Sequence, residues 1–345
     1  GIGIEVTREA VKTLEAAGKA LGTPLQIGAY DYGAGRHLRT GETLPPGAMD
    51  RLKEYDSILL GALGDPRVPD MKHAADILLG LRFGLDLYVN YRPVRLLDEK
   101  LCPLKGRAPQ DVDFVVFREN TEGLYVGVGG IFKKGTPEEI AIQEDINTRK
   151  GVERIIRHAF AYAASHGLSR VVMSDKSNVL TYGHDLWQRV FRSVAAEHPG
   201  IEARHLYVDA LAMQMVKDPS QFQVIVTCNM FGDIVTDLGA QLQGGLGMAA
   251  SGNIHPGRVS LFEPVHGSAP KYAGQNIANP FGAILTAALL LEYLGATDAA
   301  RRVERAVVAC IRGGKTPREL GGNLGTVEVG DAVVQEILSP TLLAV

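Results

Sequence analysis

Cysteine is scarce in this 345-residue chain: Cys102, Cys228 and Cys310 stand far apart. An odd, scattered set provides neither a disulfide framework nor a zinc-ligand spacing, and this usage favours a reducing, cytoplasmic setting. No long hydrophobic run occurs either. The most apolar stretch, 281–294, is interrupted by Thr286 and Glu292 and is too short to span a bilayer, so it reads as a buried helix and excludes a membrane partner. No strongly basic block is present and the net charge is −3, which argues against nucleic acid as a partner. Repeats and low-complexity segments are missing, and the 40 glycines follow no collagen period. The chain opens Gly1-Ile2-Gly3 without Met or an apolar leader, and is read as starting inside a longer protein, after a first strand.

What is there is an ordinary globular balance, 46% hydrophobic and 22% charged. The length suggests two domains. Short continuous apolar runs at 57–61, 113–117, 170–173 and 223–227 have the character of buried strands. Amphipathic segments at 6–20, 74–83, 148–165, 184–197 and 210–217 read as helices between them. Strands alternating with helices predict an α/β fold with much parallel sheet. Segment 101–111 reads as a surface loop, and 243–257 and 264–280, rich in Gly and Pro, as long irregular and therefore functional stretches.

Several residues stand where chemistry collects. Asp233 and Asp237 are one helical turn apart after the 223–227 run, so they share a face and repel by about 0.2–0.5 kcal/mol. They are either acids at a helix N-terminus or two ligands for a hard cation. Asp209 begins another helix and by itself reads as an N-cap. Lys176 follows a strand, at the carboxyl end where ligands gather in parallel sheets. There it is a solvated lysine, an anion binder or a base. Arg82, Arg92 and Arg118 would suit a ligand with several carboxylates if they converged. Tyr125 reads as a core residue or a proton donor. Gly245-Leu-Gly-Met-Ala-Ala250 has the letters of a dinucleotide fingerprint but follows a helix rather than a strand, so it is rejected as one. The polar 262–280 segment, with His266 and Ser268, can offer backbone N–H groups to phosphate.

Taken together, these pieces resemble one family. Gly1-Ile-Gly-Ile-Glu-Val, Leu87-Tyr-Val-Asn-Tyr-Arg-Pro-Val-Arg95, Arg118-Glu-Asn-Thr-Glu-Gly-Leu-Tyr125, Asp175-Lys-Ser-Asn178, Asn229-Met-Phe-Gly-Asp-Ile-Val-Thr-Asp237 and Phe262-Glu-Pro-Val-His-Gly-Ser-Ala-Pro270 span the chain in the order found in the β-decarboxylating dehydrogenases. The resemblance implies the isocitrate/isopropylmalate dehydrogenase-like two-domain α/β fold with a large mixed sheet, not a Rossmann fold. It implies a discontinuous cofactor-binding domain, 1–88 and 246–345, and a central substrate and dimerisation domain, 89–245. It also implies metal-dependent oxidative decarboxylation of a 2-hydroxy diacid by a homodimer. In that scheme Arg82, Arg92 and Arg118 bind substrate carboxylates, and Asp209, Asp233 and Asp237 hold Mg²⁺ or Mn²⁺. Lys176, Tyr125 and Asp209 are catalytic, with Lys176 and Asp209 supplied by the neighbouring subunit. Glu263, His266, Gly267, Ser268, Ala269, Lys271, Tyr272 and Asn279 hold the nicotinamide cofactor.

The resemblance also bears on specificity. Leu78 and Leu79 lie four and three residues before Arg82, on its face of an expected helix, in the turn where isocitrate enzymes carry a Ser at the position of Asp76 and an Asn at that of Leu78. A leucine pair suits an isopropyl group, worth about 1–3 kcal/mol of discrimination. The expected substrate is therefore 3-isopropylmalate, with tartrate or D-malate, homoisocitrate and isocitrate as alternatives. A catalytically silent regulatory paralogue is the non-enzyme alternative, though it would have lost one of the residues retained here. Lys271-Tyr272 stands where NAD-using members carry Asp, so the cofactor is NAD or NADP.

Overall fold

The computed structural model describes residues 1–22, 25–68 and 71–339. The last residues of the expected first domain, 340–345, lie outside them. The chain divides into two compact units, Gly1–Leu87 with Arg95–Pro109 and Ala240–Val345, and Tyr88–Val94 with Gln110–Gly239. Ten strands occur among the described residues: β1 (Ser57–Leu59), β2 (Val89–Arg95), β3 (Asp113–Glu119), β4 (Gly129–Phe132), β5 (Ile140–Gln143), β6 (Arg170–Asp175), β7 (Glu202–Tyr207), β8 (Val224–Thr227), β9 (Ala250–Ile254) and β10 (Ser260–Pro264).

The first unit orders its strands β1-β10-β9, parallel and then antiparallel, which makes the sheet mixed. Helices Gly3–Ala20, Phe281–Tyr293, Thr297–Arg312 and Thr326–Leu338 share one core with it. The 281–294 stretch is the expected buried helix, apolar on every side, with Phe281, Ile284 and Ala287 fully buried. Truncating Phe281 to Ala would cost about 3–5 kcal/mol. Segment 243–257 is not irregular throughout, because it contains β9. The expected helix at 74–83 is not a plain α-helix. Lys72–Ala74 and Gly80–Gly84 flank a π-helical turn at Ala75–Leu79, a widening often found at functional sites.

The second unit orders its main strands β2-β3-β8-β6-β7, with β3, β8, β6 and β7 all parallel. The β8 strand, Val-Ile-Val-Thr, is buried on both faces, as its unbroken apolar run predicts. Helix Arg149–Ser165 starts where Thr148 accepts a hydrogen bond from the Gly151 N–H at 3.0 Å, a side-chain N-cap. The paired strands β4 and β5 form a separate antiparallel hairpin that exposes Ile131, Phe132, Ile140 and Ile142. Because the register is parallel, the carboxyl ends of β3, β8, β6 and β7 lie along one edge. Arg118, Asn229, Lys176 and Asp209 stand at those four ends.

Candidate active site

In the second unit the chemistry gathers around Asp233. Arg118, at the end of β3, is in register with Thr227 of β8, and helix Asn229–Leu242 starts two residues beyond Thr227. Asn229 accepts from Arg118 Nε at 2.9 Å. One turn later, Asp233 Oδ1 accepts from Arg118 Nη1 at 2.6 Å and pairs with Arg92 Nη1 at 3.2 Å. Asp233 Oδ2 accepts from the Tyr125 hydroxyl at 3.0 Å. Arg92 is fixed by Asn90, which accepts from Nε at 2.6 Å, and by Thr236, which accepts from Nη1 at 2.6 Å. The Arg118 guanidinium also lies over the Tyr125 ring, 5.1 Å from its centre.

Arg118 is 1% exposed and Arg92 6%, so their charges need a partner, and Asp233 provides it. The close approach depends on Gly232, because a β-carbon there would stand 2.5 Å from Arg118 Cγ. Asp237, one turn past Asp233, has its carboxyl held above the usual range by partial burial and then by the negative charge of Asp233; Arg92 and Arg118 oppose the shift. Asp233 and Asp237 on one helix face form an oxygen donor pair that would suit a hard cation, and a cation would relieve the repulsion that helps raise Asp237.

Lys176 and Asp209 make a second group. Lys176 Nζ is 2.8 Å from Asp209 Oδ1 and lies over the Tyr207 ring at 5.7 Å. The hydrogen bond from Lys176 holds the Asp209 carboxyl below its usual range. Among the described residues, no three His, Cys, Asp or Glu side chains are arranged to hold a metal ion. Asp209 thus stands with Lys176, and is not gathered with Asp233 and Asp237 within one chain.

The first unit contains the remaining candidates. Arg82, 5% exposed, donates from Nη2 to Glu263 Oε1 at 3.0 Å, and Asn253 donates to the same oxygen at 3.0 Å. Glu263 is therefore engaged with Arg82. The buried Arg82 Nε has no hydrogen-bond partner. Leu78 packs against the cluster of Leu52, Ile77, Leu81, Leu85, Leu87 and Leu261, and Leu79 is half-buried. Both lie in the π-helical turn, so α-helical spacing does not describe their relation to Arg82. Asp76 pairs with Lys72 at 2.7 Å.

The loop after β10 is shaped by backbone. Ser268 O accepts from the Ile2 N–H at 2.7 Å, and Ala269 is held at φ 36°, a left-handed conformation rare for a residue with a β-carbon. His266 Nδ1 faces Gly267 O at 3.0 Å, while its Nε2 is buried without a partner. Burial holds the His266 imidazole below its ordinary pKa. Lys271 lies over the Tyr272 ring at 4.7 Å, and both are exposed, as is Gly267. Asn279, two residues before helix Phe281–Tyr293, accepts from the Phe281 N–H at 3.0 Å. Gly247, from the rejected fingerprint, gives Asn279 room: a β-carbon there would stand 2.7 Å from Asn279 Nδ2. An orphaned buried imidazole nitrogen and an exposed Lys–Tyr pair in one loop are a donor set suited to a polar, anionic cofactor.

Three positioning residues escaped the sequence reading: Asn90, Asn229 and Thr236. Two carried a signal. Asn90 is two residues from Arg92 on a strand, and Asn229 is four from Asp233 on a helix, so each pair shares a face. Thr236 gave none.

Residues 1–333 match the family described as isocitrate/isopropylmalate dehydrogenase. The chain is 48% identical over 339 residues to the 3-isopropylmalate dehydrogenase of Thermobifida fusca (strain YX), covering 98% of this chain and 95% of the relative. It is 46% identical over 341 residues to the 3-isopropylmalate dehydrogenase of Streptomyces coelicolor (strain ATCC BAA-471 / A3(2) / M145), covering 98% and 96%. Among solved structures it resembles isocitrate dehydrogenase from Methylococcus capsulatus, with a TM-score of 0.88, 37% identity and coverage of 98% and 97%.

Proposed function

The chain belongs to the isocitrate/isopropylmalate dehydrogenase family, and on that premise we propose that it oxidatively decarboxylates 3-isopropylmalate, with NAD as hydride acceptor and Mg²⁺ or Mn²⁺ as cofactor, in leucine biosynthesis. The family implies a small-molecule 2-hydroxy diacid as substrate. The observation that carries the site assignment is the Asp233 centre, where one carboxylate is held by Arg92, Arg118 and Tyr125.

The roles follow residue by residue. Arg92 and Arg118 present buried guanidinium groups to substrate carboxylates, and Arg82 does the same through its unpartnered Nε. Leu78 and Leu79 supply the apolar surface for the isopropyl group. Asp233, Asp237 and Asp209 would hold a divalent cation, whose chemistry would be polarisation of the substrate oxygen at C2. Lys176, as the amine, would take the hydroxyl proton, and a bound nicotinamide would supply the hydride acceptor for C2. The bond from C3 to its carboxylate then breaks, CO₂ departs, and Tyr125 delivers a proton to C3. Asp209 would steady the ammonium that Lys176 becomes on taking the hydroxyl proton. Glu263, His266, Gly267, Ser268, Ala269, Lys271, Tyr272 and Asn279 line the cofactor. On this reading 1–88 and 246–345 form the cofactor domain and 89–245 the substrate and dimerisation domain.

The active unit is a homodimer in the cytoplasm that shares Lys176 and Asp209 across subunits. Two observations support this. Asp209 stands with Lys176 rather than with Asp233 and Asp237 in one chain, and the β4–β5 hairpin exposes a run of apolar side chains. Nucleic acid and membrane are not partners, and no helix among the described residues is long and apolar enough to cross a membrane. A second cofactor reading is favoured by the exposed Lys271–Tyr272 pair, which offers an ammonium and a phenol to a 2′-phosphate. The test is spectrophotometric reduction of NAD and of NADP with Mg²⁺ and each of 3-isopropylmalate, isocitrate, homoisocitrate, D-malate and tartrate. Turnover greatest with 3-isopropylmalate is the expected result. Preference for a tricarboxylic substrate overturns the leucine reading, and no turnover with any pair favours the silent paralogue.

A further inference from the structure

Lys176 is gripped through its backbone as well as its side chain. Its carbonyl accepts from the Val179 and Leu180 N–H groups at 2.9 and 2.8 Å, closing the turn that follows β6. The preceding Asp175 side chain is buried and takes hydrogen bonds from Gln188 Nε2 at 2.8 Å and the Ser177 N–H at 3.0 Å, with His205 Nε2 at 2.8 Å. The Lys176 N–H donates to Nδ1 of His184 at 2.8 Å. His184 is 1% exposed in the first turn of helix Gly183–Ala196 and packs edge-on against Phe231 of helix Asn229–Leu242 at 5.5 Å.

A ring nitrogen that accepts a hydrogen bond carries no proton, so the His184 proton sits on Nε2. Nε2 faces Asp145 Oδ2 at 3.9 Å. Asp145 is itself held by Asn147 at 2.9 Å, and Asn147 by Trp187 at 2.8 Å. Burial keeps the imidazole below its ordinary pKa, while the charges of Asp175 and Asp145 pull the other way. The neutral ring is the form that fits, because a second ring proton would set two donors against each other at Lys176.

We infer that His184 is a positioning residue for the catalytic lysine, acting as the obligatory acceptor for the Lys176 amide and so setting where the Lys176 side-chain nitrogen stands. This rests on the reading of Lys176 as the base. An exposed lysine needs no such anchor, but a base that must meet a hydroxyl proton does, since a displacement of about 1 Å costs on the order of 10²-fold in rate.

The test uses the full chain with 3-isopropylmalate, NAD and Mg²⁺. His184→Leu keeps the burial and removes the acceptor. It should lower kcat about 10–100-fold and leave KM for substrate and cofactor within about threefold. His184→Asn places an amide oxygen near the position of Nδ1 and should recover kcat to within about threefold of wild type. Unchanged kcat in His184→Leu overturns the inference, as does an equal loss in both variants. Lys176→Ala is the reference: if it keeps wild-type turnover, it is the Lys176 reading that fails, and the inference falls with it. If Lys176→Ala is inactive while His184→Leu is unaffected, only the His184 inference fails. Should His184→Leu not fold, the pH profile of His184→Asn decides, because its kcat must lose the part of the acid-side fall that His184 protonation causes. An unaltered acid limb overturns the inference.

Discussion

The two candidate regions solve recognition in opposite ways. Around Asp233 the work is done by side-chain charge, with two buried guanidinium groups, a phenol and a carboxylate locked together by bonds of 2.6–3.2 Å. In the loop after β10 the backbone sets the shape, with a left-handed Ala269, a short 3-10 turn at Pro270–Tyr272, and an orphaned His266 nitrogen. A charged centre is already paired before any ligand arrives, so its geometry is preorganised for charge that develops during reaction. A backbone loop offers shape and a few polar atoms, which suits a cofactor that must bind and leave. The contrast predicts that changes in the first region act on turnover and changes in the second on cofactor choice.

The largest expected effect is Lys176→Ala, which should lower kcat about 10²–10⁴-fold while the dissociation constant for the nicotinamide nucleotide, measured by fluorescence titration, stays within about threefold. Wild-type kcat in that variant would remove Lys176 from the charged machinery. Next is Gly232→Ala, whose added methyl meets the Arg118 side chain. Overpacking there should cost about 1–3 kcal/mol and lower kcat/KM about 10–100-fold, with little change in cofactor affinity. An unaffected kcat/KM would show that Arg118 can shift without loss.

In the loop, Lys271→Asp places a carboxylate where a 2′-phosphate would lie, and should move the NADP-to-NAD ratio of kcat/KM toward NAD by about tenfold or more, leaving kcat with NAD nearly unchanged. No change in the ratio would take Lys271 out of cofactor discrimination.

The smallest effect on catalysis belongs to His158, whose ring packs edge-on against Phe117 at 5.0 Å. Burial lowers its pKa to about 4. A depressed histidine pKa means that the native state prefers the neutral ring. Stability is therefore fully present above the unfolded value near 6.5, and is lost as pH falls from there toward about 4. His158→Phe should leave kcat at neutral pH intact and reduce the loss of unfolding free energy between pH 7 and pH 5 by about 1–2 kcal/mol. Identical acid sensitivity of variant and wild type in denaturant titrations would show that another group controls it.

Legibility in the sequence followed the same division. The helices and buried parallel strands were readable because hydrophobic period and apolar runs are local properties, and 57–61, 113–117, 170–173 and 223–227 all contain strands. Strand β9, Ala-Ser-Gly-Asn-Ile, was not, since its residues have poor strand propensity. It pairs with β10, and Gly252 is needed there because a β-carbon would stand 2.8 Å from the Phe262 ring. The π-helical turn at Ala75–Leu79 was invisible because an α-helix and a π-turn share one hydrophobic pattern over five residues. The hairpin of β4 and β5 escaped because its strands are exposed on both faces and show no alternation.

By itself, the sequence determined the alternation of strands and helices, the one-turn spacing of Asp233 and Asp237, and the placement of Lys176 and Arg118 at strand ends. Each of these depends only on neighbours along the chain. Tertiary structure alone decided that Asp233 would neutralise Arg92 and Arg118, that Asp209 would stand with Lys176, and that the Lys176 amide would find its acceptor on His184. Those contacts join residues that are distant in the chain or meet across a turn, and strand order, register and packing bring their atoms within hydrogen-bond range.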